Sequence, residues 1–262
     1  MKTVLKQLSE KIDAPNHALS IPKTIHIGCS GYYYGYWKNK FYPKGLVAKD
    51  YLSHYSTVFN SVELNGTFYR TPALSQLQKY RDATGTDFSF AVKVSKYITH
   101  VLRLNESKQH IEEFQTLIKN GLQDKAKCFL FQFPASFQFS EENLERILIN
   151  IPHHKENIIE FRHISWWNNE VLREMKKANL TFCNVDFPKL ESSFEQTSDV
   201  FYLRLHGNPI LFKSSYSAEQ LMEFQKHFPK NCSTYWIFFN NTYYEAGYLN
   251  AQELMRITSK KE

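Results

Sequence analysis

Charged side chains recur in this chain inside short apolar segments, where they alternate with aliphatic or aromatic residues. In NIIEFRH, Glu160 and Arg162 alternate with apolar neighbours, and VFYLRLHG places Arg204 and His206 in the same way. Because successive side chains of a β-strand point to opposite faces, each of these pairs lies on one face of its strand. Carboxylates, guanidinium groups and an imidazole on a shared face could bind an anion or transfer protons.

Five further segments carry polar residues in the same alternation. SVELNGTFY contributes Glu63 and Asn65, FSFAVKVS Lys93, KCFLFQFP Gln132, TFCNVDFP Asn184 and Asp186, and TYWIFFNN Asn240. Together with IHIGCSG, which begins at Ile25, these make eight segments that are rich in β-branched and aromatic residues, as β-strands are. Their starts lie about 30 residues apart on average, which is the length of one βα unit.

Helical patterns separate most of these predicted strands. Apolar residues repeat at intervals of three and four in segments that begin at Leu74, His110, Glu141, Val171 and Ala218, and AGYLNAQELMRI closes the chain in the same way. Ser140 and Ser217 precede two of these segments and are suitable N-caps. Only KLESSFEQTSD, between the sixth and seventh strands, is too short for a full helix. Eight strands alternating with helices predict an α/β fold, a single (β/α)8 TIM barrel.

Length and composition agree with one such domain. The chain has 262 residues, of which 42% are hydrophobic, and a TIM barrel needs about 250 residues. We assign residues 24–262 to the barrel and residues 1–23 to an N-terminal extension that could form a short cap helix. No apolar run is long enough to span a membrane, and the chain start lacks a signal-peptide pattern. Four distant cysteines, Cys29, Cys128, Cys183 and Cys232, are typical of reduced thiols in a cytoplasmic protein.

The polar residues of the strands are expected to meet at one end of the barrel. The apolar sets must face the covering helices, so the polar sets point into the barrel near the carboxyl ends of the strands. This rim is where barrel enzymes build their active sites. The alternative is a buried ion network that satisfies itself, although desolvation would cost several kcal/mol per ion.

Two arginines and a lysine at one rim favour an anionic ligand, a phosphate or a carboxylate. In this interpretation Arg162, Arg204 and Lys93 hold the anion, Glu160 or Asp186 acts as base, and His206 acts as acid. Lys93 could also form a Schiff base if its pKa were lowered. The first hypothesis is therefore an enzyme that acts on a phosphorylated or otherwise anionic small molecule.

The first loop, GCSGYYYGYWKNKFYP, indicates an alternative function. Its tyrosines alternate with lysines, a combination that could stack bases beside a charged backbone, so the protein could bind or cleave nucleic acid. The net charge of +6 is too mild to decide this question. Trp37 and Phe41 are also explained as anchors that pack the loop over the barrel. A metal-dependent hydrolase is a third alternative, but three cations at the rim would repel a divalent metal, so we expect neither a metal nor a cofactor.

The sequence resembles the YecE-like family, domain-of-unknown-function family 72. The resemblance rests on GCSGYYYGYWKNKFYP, FNSVELNGTFYRTP, FSFAVKVSKYITH, FLFQFPASF, EFRHISWW, NVDFP, YLRLHG and FFNNT, which fall in order on the eight predicted strands. It implies a TIM barrel and no inherited catalytic role, because the family has no established activity. It also implies that the mouth of the barrel is surrounded by Glu63, Asn65, Thr67, Tyr69, Arg70, Lys93, Thr99, His100, Gln132, Glu160, Arg162, His163, Asp186, Arg204, His206 and Asn240.

Two segments depart from the pattern of this family. The first loop has three consecutive tyrosines, Tyr32 to Tyr34, where the family more often has a Trp-Ser-Tyr type of sequence. The segment TYYEAGYLNA, after the last strand, matches loosely. Both segments belong to loops expected to contact the ligand, so ligand specificity could differ from that of relatives.

Overall fold

The structure is a computed structural model that describes residues 24–190 and 192–259. Eight parallel strands form one sheet in the order β1-β8-β7-β6-β5-β4-β3-β2, which curls into a nearly closed barrel. The strands are β1 (Thr24–Cys29), β2 (Ser61–Leu64), β3 (Ser89–Lys93), β4 (Ala126–Gln132), β5 (Asn157–Glu160), β6 (Thr181–Asp186), β7 (Val200–Leu205) and β8 (Thr234–Phe239). The predicted TIM barrel is confirmed, whereas the predicted N-terminal extension, residues 1–23, lies outside the described residues.

Helices cover the outside of the barrel. They are α1 (Tyr51–Val58), the single turn α2 (Gly66–Tyr69), α3 (Leu74–Asp82), α4 (Lys108–Leu122), α5 (Glu141–Asn150), α6 (Asn169–Lys177), α7 (Ala218–Lys226) and α8 (Ala246–Ser259). Ser140 caps α5, and Ser217 forms a capping box with Gln220 at the start of α7. The described residues between β6 and β7 form no helix, as the short segment predicted.

Helix α1 was not predicted from the sequence. Its residues, YLSHYSTV, are mostly aromatic, β-branched or hydroxylated, and such side chains have weak helix propensity. The helix buries Tyr51, Leu52 and Tyr55 against the barrel. Tertiary packing therefore stabilises a helix that local propensity does not favour.

Alternation along the strands separates two apolar cores. The larger core fills the space between the sheet and the helices. A smaller core fills the barrel interior and consists of Ala91, Cys128, Leu130, Ile158, Cys183, Val185, Val200, Tyr202, Trp236 and Phe238. At the amino-terminal end of the strands, His26 stacks on Trp236 with ring centroids 3.8 Å apart, and burial lowers the pKa of His26 to about 4. The charged side chains of the interior, Glu63, Lys93, Glu160 and Arg204, lie towards the carboxyl ends of the strands.

Side chains join β1 to β2, since these two strands share no backbone ladder in the described residues. The Asn60 amide accepts a hydrogen bond from a backbone N–H of β1 at 3.1 Å and donates to a carbonyl of β1 at 2.8 Å. The Tyr55 hydroxyl accepts from the Cys29 N–H at 2.7 Å and donates to the Ser61 carbonyl at 3.1 Å. A Cβ atom at Gly28 would lie 2.1 Å from that carbonyl oxygen, so only glycine permits this approach.

Strand β6 has the orientation opposite to the one expected from its polar residues. Cys183 and Val185 face into the barrel, whereas Asn184 and Asp186 face outwards. The side chain of Asn184 pairs with the backbone N–H and C=O of Glu195 at 2.7 and 3.0 Å. No helix lies between β6 and β7 in the described residues, and peptide groups of the connecting loop face this strand instead. Outward polar side chains satisfy those peptide groups.

In the described part of the chain, no helix combines the length and the apolar composition needed to cross a bilayer. The four cysteines, Cys29, Cys128, Cys183 and Cys232, are buried thiols. They pack as small apolar side chains within the cores described above.

Candidate functional site

Arg204 is the centre of a fully buried polar network inside the barrel. Its Nε and NH2 groups pair with both oxygens of Glu63 at 3.0 and 2.6 Å. NH1 donates to Glu160 at 2.6 Å and to Nε2 of His206 at 3.1 Å, and NH2 also lies 3.4 Å from the Ser30 hydroxyl. All five N–H donors of the guanidinium group are therefore engaged. Burial opposes the charge, but the two carboxylates raise the pKa of Arg204 well above its ordinary value.

Glu63 is saturated in the same network. Besides the pair with Arg204, Oε1 accepts from the Ser30 hydroxyl at 2.7 Å and Oε2 accepts from the Tyr202 hydroxyl at 2.7 Å. Burial and the adjacent carboxylate raise the pKa of Tyr202 well above its ordinary value, so this phenol remains a donor. Each carboxylate oxygen already accepts two hydrogen bonds, and little capacity is left for a ligand.

Glu160 connects this network to the carboxyl end of the barrel. Its side chain is fully buried, Oε2 accepts from Arg204, and Oε1 forms an ion pair with Nε of Arg162. Burial alone would raise the pKa of Glu160, but Arg162 and Arg204 together lower it. The carboxylate is consequently ionised near neutral pH and held between two guanidinium groups.

His206 is a neutral acceptor in this arrangement. Burial first, and then Arg162 and Arg204, hold its pKa well below the ordinary value. Nδ1 lies 3.2 Å from the Arg204 carbonyl oxygen and must donate to it, so Nε2 accepts from Arg162 at 2.8 Å and from Arg204. The single N–H group of the neutral imidazole donates to a backbone carbonyl. This geometry does not support the predicted role of His206 as an acid.

A cavity of about 450 Å³ lies above the network, at the mouth of the barrel. Eight of the nine predicted ligand-binding residues line it: Asn65, Tyr69, Lys93, His100, Gln132, Arg162, Arg204 and Asn240. The ninth, Glu63, lies beneath it in the saturated network. Sequence reasoning missed the apolar walls formed by Phe68, Phe187 and Phe212, which carry no polar signal and come from loops.

Lys93 differs from the arginines because it has no carboxylate partner in the described part of the chain. Its Nζ atom lies over the ring of Phe68, 4.0 Å from the centroid. Burial, followed by the charge of Arg204, lowers the pKa of Lys93 to about 8, although Glu160 and Glu63 act in the opposite direction. The group is thus a cation whose charge is only partly balanced by its surroundings.

Arg162 lies between the saturated network and the cavity. Its Nε and NH2 groups bind Glu160 and His206, and its Cζ atom lies 4.3 Å from the ring centroid of Phe187. The NH1 group has no hydrogen-bond partner among the described residues. Arg162 therefore offers donors to the cavity from a fixed position.

Neutral polar groups complete the lining of the cavity. Gln132 donates to a backbone carbonyl at 2.6 Å, which leaves its carbonyl oxygen available. The Oδ1 atom of Asn65 is buried without a hydrogen-bond partner in the described chain. Nδ1 of His100 lies 2.9 Å from the Thr99 hydroxyl, and burial followed by nearby cations lowers the pKa of His100 to about 4. Tyr69, which is 82% exposed, lies at the outer edge.

Asp186 lies outside this site, contrary to the expectation from the sequence. Its carboxylate accepts from the Tyr216 hydroxyl at 2.5 Å, from the Ser192 hydroxyl at 2.8 Å and from the Asn208 amide at 3.2 Å. These donors belong to the loops that follow β6 and β7. Asp186 therefore fixes loops on the outer face of the strand, and the geometry does not support the predicted role as a base.

Residues that only the family resemblance suggested have mixed positions. The Thr67 hydroxyl lies 2.6 Å from the backbone carbonyl of Lys93. His163 caps the turn that starts at Ile164 through its contact with Ser165. Arg70 lines a second cavity beside the mouth. The first two have structural roles at strand ends, although Thr67 also lines this second cavity, and Arg70 is exposed there.

The first loop is anchored by its largest side chains. Trp37, Phe41 and Tyr42 are buried, and the Trp37 indole donates to the carbonyl of Tyr244 at 2.7 Å. Tyr33 remains 64% exposed. Most of the aromatic content of this loop therefore packs it onto the barrel, which agrees with the anchoring interpretation of Trp37 and Phe41.

The fold and the charged cavity together define a TIM-barrel protein with a polar pocket at the carboxyl ends of its strands. Among the described residues, no group of three or more His, Cys, Asp and Glu side chains is arranged to hold a metal ion. A family model described as "Protein of unknown function DUF72" matches residues 26–262, and the chain belongs to this family. This is the family that the sequence motifs indicated.

Individual relatives agree with this assignment. The UPF0759 protein YunF of Bacillus subtilis (strain 168) is 24% identical over 255 residues, which cover 83% of this chain and 88% of that protein. The structure of a DUF72 family protein from Thermotoga maritima MSB8 has 29% identity and a TM-score of 0.83, covering 90% of this chain and 100% of the other. A DUF72 family structure from Enterococcus faecalis V583, with 18% identity, a TM-score of 0.72 and coverage of 92% and 100%, shows the same fold.

Proposed function

We propose that the protein is an enzyme that acts on a small molecule with an anionic group, a phosphate or a carboxylate, and that this group binds between Lys93 and Arg162. The observation that carries the proposal is the unbalanced charge of Lys93. Both carboxylates near the cavity, Glu63 and Glu160, are already occupied by arginines. An anion from solution would supply the partner that the chain does not.

The charges of the site support this proposal. Lys93, Arg162 and Arg204 contribute three positive charges, Glu63 and Glu160 contribute two negative charges, and His206 is neutral. The difference is one positive charge in a partly enclosed cavity. Electrostatic attraction is stronger in such a place than in water, because the effective dielectric constant is lower. The free NH1 group of Arg162 and the ammonium group of Lys93 would donate to the anion.

In this proposal the other polar residues have different roles. Lys93, with a pKa of about 8, exists in both protonation states near neutral pH and could transfer a proton to or from a substrate. Glu160 and His206 hold Arg162 in position instead of reacting. Phe68 and Phe187 keep the space around the two cations partly dry.

Thermal denaturation with added phosphate, sulfate and ribose 5-phosphate tests the proposal. We expect these anions to raise the Tm of the wild-type protein, and Lys93→Met to abolish the increase. Lys127→Met removes the same charge from an exposed position in β4, near the opposite end of the barrel, and should respond like wild type. An equal increase in wild type and Lys93→Met, or no increase with any anion, would refute the anion site.

The first loop offers little support for nucleic-acid binding as a second function. Lys40 of this loop forms an ion pair with Glu245, and Trp37 and Phe41 are buried anchors. A nucleic-acid complex would show a steep dependence of affinity on salt concentration, because counterions are released from the backbone. Titration of an oligonucleotide at two salt concentrations therefore distinguishes this alternative from a small anion.

We further propose that the protein works in the cytoplasm. Its four cysteines are buried thiols, and such proteins are typical of reducing compartments. Fractionation of cells that produce the protein, followed by immunodetection, would test this location. Recovery in the membrane or the extracellular fraction would contradict it.

A further inference from the structure

A second and larger cavity, of about 630 Å³, lies beside the mouth of the barrel. It runs between the loop that follows β1 and the segment that joins β2 to α3. We call it the tyrosine cleft, because Tyr32, Tyr33, Tyr34 and Tyr80 line it. Its volume falls within the range of small-molecule sites, roughly 300–1,000 Å³. The proposed anion site does not use it.

The walls of the tyrosine cleft are held in place before any ligand binds. The rings of Tyr32 and Tyr80 pack edge to face with centroids 6.2 Å apart. The Tyr34 hydroxyl donates to the Ser30 carbonyl at 2.5 Å. Gly31, with φ of +106°, makes this possible, since a Cβ atom there would lie 2.9 Å from the Tyr34 hydroxyl oxygen. Rigid aromatic walls bind a ligand with little loss of side-chain entropy.

The tyrosine cleft adjoins the mouth cavity at Asn65. This residue lines both cavities, and its buried Oδ1 atom has no hydrogen-bond partner among the described residues. A buried amide oxygen without a partner is unfavourable by itself and indicates a missing donor. A hydroxyl group of a ligand that passes from one cavity to the other would supply that donor.

We infer that the tyrosine cleft binds a flat ring that belongs to the same ligand whose anionic group occupies the mouth, so that the ligand has the chemistry of a nucleoside monophosphate. The inference rests on the anion site proposed above and specifies its substrate class. The anion would lie at Lys93 and Arg162, a sugar hydroxyl would donate to Asn65, and the ring would lie against Tyr33.

A flat heteroaromatic ring fits the tyrosine cleft better than an aliphatic chain. Tyr33 is 64% exposed, and an exposed aromatic face beside other rings favours stacking. Arg70 and Gln76, which are also exposed and line the cleft, provide donors and an acceptor for the edge of a ring. An alkyl chain would leave these polar groups without a partner.

Binding of four probes by isothermal titration tests the inference: inorganic phosphate, ribose 5-phosphate, AMP and adenosine. We expect AMP to bind roughly 5- to 150-fold more tightly than ribose 5-phosphate, which is the range that stacking of one base provides. Tyr33→Ser and Ala73→Trp, a substitution that would fill the cleft, should remove this preference and leave the affinity for phosphate unchanged. Tyr97→Ser is the matched control, since Tyr97 is 49% exposed but lies outside the tyrosine cleft.

The outcomes separate this inference from the function on which it rests. If phosphate binds and needs Lys93, but AMP binds no better than ribose 5-phosphate, the ring site is refuted and the anion site remains. If adenosine binds as tightly as AMP and Lys93→Met has no effect on either, the anion site fails and with it the idea of one ligand across both cavities. If an oligonucleotide binds more tightly than AMP and depends on Tyr33, the cleft belongs to a nucleic-acid surface instead.

Discussion

The interior of the barrel contains two polar regions that use similar residues in opposite ways. In the lower region, Arg204 and Glu63 engage all their hydrogen-bonding groups with each other and with neighbours. In the upper region, Lys93 has no carboxylate partner in the described chain, and Arg162 keeps a free NH1 group. The attraction within a buried ion pair offsets the cost of desolvation only when the geometry is good and the remaining donors and acceptors are hydrogen-bonded. The lower region therefore holds the structure, whereas the incomplete upper region is available to a ligand.

The largest expected effect comes from breaking the lower region. Arg204→Met would leave Glu63 buried without its charge partner, whereas Glu160 keeps its ion pair with Arg162, and breaking a buried pair destabilises proteins by about 3–5 kcal/mol. Urea denaturation at pH 7 measures this loss. Adding Glu63→Gln to Arg204→Met removes the uncompensated charge and should recover a substantial part of it. A loss below about 1 kcal/mol, the ordinary value for one hydrogen bond, would contradict the assigned structural role.

A smaller effect is expected from titrating the upper region. The folded-state pKa of Lys93 is lowered from 10.5 to about 8, and only the protonated form attracts an anion. Affinity for sulfate, which stays a dianion throughout this range, should be nearly constant well below pH 8 and then fall by up to about tenfold per pH unit above it. Lys93→Arg keeps the charge and should shift this fall to a much higher pH, as isothermal titration would show. A wild-type affinity that is unchanged between pH 7 and 10 would show that Lys93 does not bind the anion.

The pH dependence of stability has the opposite sign to that of anion affinity. Between pH 8 and 10.5 the unfolded state holds the Lys93 proton and the folded state does not, so the stability of the ligand-free protein rises with pH in this window. Lys93→Met should lack this particular increase. Comparison of the two proteins by urea denaturation therefore serves as a control for the binding experiment.

The smallest expected effect is that of Asp186→Asn. Because this carboxylate faces the loops after β6 and β7 and not the mouth, phosphate affinity should remain within about twofold of wild type, well under 1 kcal/mol. Stability should fall by about 1 kcal/mol, since one of three donors would lose its acceptor. A large loss of anion binding without a loss of stability would show that Asp186 takes part in the binding site after all.

Much of the site followed from the alternation of side chains along the strands. The inward positions of Glu63, Lys93 and Gln132 agree with that pattern, as do those of Glu160 and Arg204. The pattern works because a barrel strand has one face towards the helices and one towards the interior. Where a helix covers the strand, the outer face is mostly apolar.

The same reasoning explains the error in β6. The segment after this strand is too short for a helix, and this was visible in the sequence, but its consequence for Asn184 and Asp186 was not. Loop backbone covers the outer face there, so polar side chains are favoured on it. The tyrosine cleft was also beyond sequence reasoning, because Tyr33 and Tyr80 meet only when β1 and β2 close the barrel.

The amino-acid sequence by itself determined the barrel, its number of strands and most of the residues that face its interior. These properties depend on local periodicity, which is set by the geometry of strands and helices. The tertiary structure alone decided which charges are satisfied and which are not. Arg204 and Lys93 are both inward cations near the end of a strand. Only the neighbours that folding places around them make Arg204 part of a structural ion network and Lys93 a candidate anion-binding residue.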